Sequence, residues 1–123
     1  MFFIFFDKKG VGMNLGIERF SETVSNVAAI AAGVVRNFKP NDSFLKEYEF
    51  VNEIIVTNQS AYLIEVRMNG LIDDYIRLPA GGSFGFNKED GKKIQFITVV
   101  NKDAAGEIAI GEVTAVFRRV DVV

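Results

Sequence analysis

A chain of 123 residues with 49% apolar residues has material for one packed domain and too much hydrophobicity to stay disordered. Its formal charge of -2 excludes the basic footprint that nucleic-acid binding needs, and twelve Phe with no Trp point to a large dry core or an apolar contact surface. With no Cys and no His it can build no disulfide, thiolate metal site, Ser-His-Asp triad or HExxH zinc motif, so a non-enzymatic protein without cofactor or metal is expected.

The chain opens on Phe2, Phe3, Ile4, Phe5 and Phe6. This run is too short to span a membrane and lacks the basic flank and cleavage site of a secretory signal, so no membrane partner is expected. It reads as a strand that adds to a sheet of its own chain or of a neighbour. Gly10, Gly12 and Gly16 make Asp7 to Gly16 a loop. From Ser21 to Phe38, residues Val24, Val27, Ala28, Ala31, Val34, Val35 and Phe38 recur at three- and four-residue steps, with Ser21 as N-cap. That spacing predicts a short helix near 21–37, while Gly33 and the β-branched residues leave a strand over Ala29–Asn37 as the alternative. Pro40-Asn41-Asp42 ends the element. On this reading residues 1–49 form an N-terminal arm and 50–123 a β-sandwich domain.

Turn chemistry punctuates the second part at about the 8–12-residue spacing of a sandwich or barrel. The clusters are Asn58-Gln59-Ser60, Asn69-Gly70, Pro79-Ala80-Gly81-Gly82, Asn87 to Gly91 and Asn101 to Gly106. Between them lie apolar or alternating strands: Glu49–Thr57, Tyr62–Met68, Leu71–Leu78, Ser83–Phe86 and Lys92–Val100. Asn69-Gly70 predicts a two-residue type I′ hairpin. The echo GEIAI-GEVTA at 106–115 reads as one bent strand with a bulge at Gly111. The expected fold is a single antiparallel β-sandwich or small barrel, jelly-roll-like, of about six to eight strands.

Three local patterns resemble chemistry without its context. Gly81-Gly82-Ser83-Phe84-Gly85 matches the hydrolase elbow G-x-S-x-G but has no His partner and leads into a strand. Asp73-Asp74, inside the expected return strand, would point to opposite faces and blunt an edge. Asn41-Asp42-Ser43 and Asn58-Gln59-Ser60 match the glycosylation acceptor and read as turn residues.

The stretches VTNQSAYLIEVRMNG, RLPAGGSFGF and GEIAIGEVTAVFRR, within residues 51–118, resemble small β-sandwich structural proteins of tailed bacteriophage virions. The resemblance implies a structural role in a virion assembled in the host cytoplasm: capsid decoration, head–tail joining or tail. The expected partners are then further copies of the chain and other virion proteins, with Phe2, Phe3, Ile4, Phe5, Phe6, Val34, Val35 and Phe38 as the subunit interface. The rival expectation is a ligand- or carbohydrate-binding sandwich using Tyr48, Tyr62 and Tyr75; an enzyme would have to work with Asp73 and Asp74.

Overall fold

Deeply buried positions recur at period two along stretches such as Glu53–Asn58 and 113–117, and the backbone there is extended. The computed structural model describes residues 2–6 and 13–122, giving backbone alone for 2–6, 13–16, 88 and 122. Its strands are β1 (Phe2–Phe6), β2 (Met13–Ser25), β3 (Val35–Phe38), β4 (Glu53–Asn58), β5 (Ile64–Met68), β6 (Tyr75–Leu78), β7 (Ser83–Phe86), β8 (Ile97–Asn101) and β9 (Val113–Val122), with one helix, α1 (Asp42–Tyr48).

The strands form two antiparallel sheets, ordered β1-β2-β9-β4-β7 and β3-β8-β5-β6. Setting β1 aside, β5 pairs with β6, β4 with β7, β3 with β8 and β2 with β9. The chain is therefore one long four-on-four hairpin, rolled so that successive pairs fall in alternate sheets. That is a jelly roll. The expected β-sandwich is what the chain forms, with β1 as a ninth strand on one edge.

Between the sheets lie Ile54, Val56, Ala115 and Phe117 from one side and Ile64, Val66, Ile97 and Val99 from the other, all at 0% exposure. Full burial of such a side chain contributes roughly 1.5–3 kcal/mol. Two buried bridges, Ile30 to Ile108 and Val51 to Ile94, close the gaps between the sheets' ends.

Several expectations are corrected. Residues 21–37 are not helical: β2 runs to Ser25, Ile30 makes a bridge, and β3 starts at Val35. The helical spacing there was coincidental, because Val27, Ala28 and Ala31 are exposed and build no apolar face. The strand alternative holds only for its last residues. Gly33, at φ 72°, turns the chain with a Val34 N–H to Ala31 carbonyl bond of 3.0 Å. The helix that does form begins at the residues expected to end one. Asn41 caps it, its side-chain oxygen accepting from Ser43 N–H at 2.7 Å, and Phe44 and Tyr48 share its inner face. Because β2 and β3 belong to the two sheets, the division at 49/50 separates no arm from a sandwich. Residues 13–16, expected in a loop, lie in β2; 7–12 are outside the described residues.

The hairpin after β5 is longer than two residues. Asn69 and Gly70 do hold φ 53° and 71°, closed by Leu71 N–H to Met68 carbonyl at 3.0 Å. A second turn, Asp74 N–H to Leu71 carbonyl at 3.2 Å, follows before β6 begins at Tyr75. Asp73 and Asp74 are thus loop residues. Gly111, at φ 82°, belongs to a turn closed from Glu112 to Ala109, not to a bulge within one strand. The register shift lies in β2, between Glu18 and Phe20.

Candidate assembly interface

The register shows where β1 stands. β4 pairs with β9 only from Val113 to Arg118, whereas β2 follows β9 on to Val122. Past Glu53 the place of β4 is taken by the side chain of Asn52, which donates to Val120 O at 2.7 Å and accepts from Val120 N–H at 2.9 Å. β1 pairs with Met13–Ile17, the outermost part of β2. It therefore lies on a ribbon, β1-β2-β9, that overhangs the end of β4. Its other edge has no partner among the described residues.

The other expected interface residues do not join it. Phe38 is 2% exposed and packs inside its own sandwich, so it offers no surface. Val34 is half-buried against the core, and Val35 is exposed at the start of β3. Both lie at the end of the roll where β2 finishes, away from β1. The side chains of Phe2–Phe6 are outside the described residues.

Two ion clusters, which composition could not reveal, occupy the outer faces. On the four-stranded sheet, register aligns Arg77, Glu65, Val100 and Val35 in one row. Glu65 is 4% exposed and accepts from Arg67 Nε at 2.8 Å and Arg77 Nε at 3.4 Å. Burial alone would push its carboxyl up, but those two hydrogen bonds outweigh it and hold it below the ordinary Glu range. The five-stranded sheet has the inverse arrangement. There Arg118 lies between Glu18, at 3.0 Å, and Glu53, at 3.2 Å. At the overhang, the hydrogen bond from Arg119 holds Asp121 below the usual carboxylate range, against its partial burial.

The candidate chemistry is dispersed. Tyr48 packs on Phe44 in α1, and Tyr62 lies against Gly106. Tyr75 is exposed under Arg77, 5.6 Å from guanidinium carbon to ring centre. The three tyrosines form no common platform. Asp74 sits 3.5 Å from Lys92, and Ser83 Oγ bonds the Val56 carbonyl. Asn58 is fully buried, so it presents no glycan acceptor. Among the described residues no group of three or more His, Cys, Asp or Glu could hold a metal ion, and no helix is long and apolar enough to cross a membrane. An open depression of about 470 Å³ on the five-stranded sheet is lined by Glu53, Ile55, Phe86, Asp90 and Arg118. It brings together no nucleophile and base. Compared with known proteins, the chain matches no family model, no curated protein and no solved structure.

Proposed function

We propose that this chain is a non-enzymatic structural protein of a virus particle of the phage kind, self-assembling as a capsid decoration, head–tail or tail component. The observation that carries the reading is a jelly roll with a ninth strand, Phe-rich and without a partner on its outer edge among the described residues. Jelly rolls recur in capsid domains, and an open strand edge offers main-chain hydrogen bonds and apolar area to a neighbour. The resemblance within residues 51–118 supports the same reading.

Jelly rolls also serve lectins. The scattered tyrosines and the absence of Trp give a sugar no shared aromatic platform, which weighs against that use. The test is molar mass by light scattering across concentration, with electron microscopy of the concentrated protein. Closed oligomers, rings or tubes are expected. A monomer at every concentration overturns the reading.

A further inference from the structure

We infer that β1 is a self-complementary seam, pairing antiparallel with β1 of a second copy across a two-fold axis at Ile4. The inference rests on the assembly reading above and names its contact. Three observations carry it. First, among the described residues the roll has four sheet edges: β1, β7, β3 and β6. Three are blunted. β3 carries Arg36 and β6 carries Arg77, while β7 is four residues long, contains Gly85 and runs into the charged turn Lys88–Asp90. Short strands, charges and Gly are the usual means of keeping an edge from pairing with another chain. β1 has five residues and none of these devices.

Second, β1 is apolar at every position. A strand alternates faces, so it presents apolar residues on both, although a sheet on a sandwich has only one core side. The overhang beyond β4 leaves the ribbon without the rest of the roll beside it. Doubling the ribbon into β9-β2-β1-β1-β2-β9 gives the apolar positions of both faces cross-strand neighbours at once.

Third, the strand reads the same in both directions, Phe-Phe-Ile-Phe-Phe. An axis at Ile4 is the one register in which all five residues pair. It sets Phe2 opposite Phe6 and Phe3 opposite Phe5 of the other copy, and aromatic cross-strand pairs are among the favourable ones. The contact is isologous, so it closes as a dimer and leaves the faces of the roll for higher assembly.

Because the chain has no Cys, single cysteines give a clean test in the full-length protein. Partners in an antiparallel pair have Cα atoms about 4.5–5.5 Å apart, within reach of a disulfide. Under mild oxidation, Ile4→Cys should form a disulfide dimer by itself. Phe2→Cys and Phe6→Cys should each stay monomeric on a non-reducing gel but cross-link when mixed. Ile4→Lys should abolish the dimer in sedimentation while retaining the strand signal in circular dichroism. If the wild-type chain oligomerises but Ile4→Cys does not cross-link, the seam is wrong and the assembly reading survives. If the wild type is monomeric throughout, both fall. Should Ile4→Lys unfold, the cysteine series alone decides.

Discussion

At the end of the roll where β2, β4 and β8 run out, the lids are asparagines; at the end where α1 sits, they are rings. Asn58 closes β4, Asn101 closes β8 and Asn26 directly follows β2, and all three are buried. Asn58 Nδ2 reaches the carbonyls of Tyr62, Leu78 and Pro79 at 2.7, 3.2 and 3.1 Å, while its Oδ1 accepts from Ser60 N–H and Oγ. Asn101 donates to Ile30 and Gly106 and accepts from Asp103. Asn26 donates to Ala28 and Ala109 and accepts from Val113. Each amide stands in for a missing length of strand and fixes which loops adjoin. At the opposite end Phe20 stacks on Phe44 at 4.0 Å, Phe44 meets Tyr48 at 5.2 Å, and Arg119 lies 4.2 Å over Phe50. A polar lid works only if every bond is made, whereas an aromatic lid works by area and tolerates change of shape.

The contrast is broken or kept by a matched pair of substitutions. Asn58→Leu, of the same branched shape but larger, leaves the buried Ser60 N–H without its acceptor and removes one bond each from the carbonyls of Tyr62, Leu78 and Pro79. It should cost about 3–5 kcal/mol, since an orphaned buried N–H costs about 1–3 and overpacking a buried site about 1–3 more. Phe44→Leu at the other end should cost only about 1–1.5 kcal/mol. Urea melts of the two variants measure this directly, and equal losses would mean that the ends are sealed by the same physics.

What was legible in the sequence divides along the same line. The turn residues Asn58-Gln59-Ser60 and Pro79 to Gly82 stand where turns were expected, because Asn, Pro and Gly act locally. The turn of Pro79 to Gly82 closes with a Gly82 N–H to Pro79 carbonyl bond of 2.9 Å, and Gly81 holds φ 75°. That Asn58 and Asn101 are fully buried was not legible, since burial depends on which loops meet above them. The helix was missed for a related reason. Asn41-Asp42-Ser43 serves equally to stop one element and to cap the next, and only the packing of Phe44 on Phe20 decides. The candidate interface was legible only as a run of apolar residues; that β1 overhangs β4 follows from register, which no composition encodes.

Gly70 tests the aromatic end's turns. It holds φ 71°, and a Cβ there would stand 3.1 Å from the Phe96 ring. Gly70→Val should therefore lower stability by about 1–2 kcal/mol, through the positive φ and the crowding together. An unchanged melting temperature would mean that the double turn re-forms around the new side chain.

The outer faces extend the comparison to charge. Glu65, held below the ordinary Glu range, contributes stability that is complete above the unfolded Glu value of about 4.3 and lost as pH falls through the native one. Asp121, also lowered, acts with the same sign. Melting temperatures should thus fall on the acid side of about pH 4.5, and Glu65→Gln should flatten part of that fall. A Gln variant with the wild-type acid profile would show that Arg67 and Arg77 gain nothing from the carboxylate. Arg118→Gln on the other sheet should change stability less, its side chain being 29% exposed against 6% for Glu65.

The smallest effect is a gain. At the asparagine end every described residue with positive φ is a glycine: Gly33, Gly81 and Gly111. At the aromatic end Glu49 holds φ 70° and ψ −35° just after α1, in a γ-turn closed by Phe50 N–H to the Tyr48 carbonyl at 2.8 Å. Such turns with positive φ are strained. The strain persists because Arg119 Nη1 donates to the carbonyls of both Tyr48 and Phe50, at 3.1 Å each, and Gln95 Nε2 donates to that of Glu49 at 3.0 Å. All these bonds use the backbone, so Glu49→Gly keeps them while removing the Cβ that resists the conformation. Glycine's larger entropy in the unfolded chain offsets part of the relief. The net expectation is a gain of about 0.5–1 kcal/mol, a few degrees in melting temperature. A loss instead would mean that the Glu49 side chain, exposed as it is, holds the turn more than its backbone strains it.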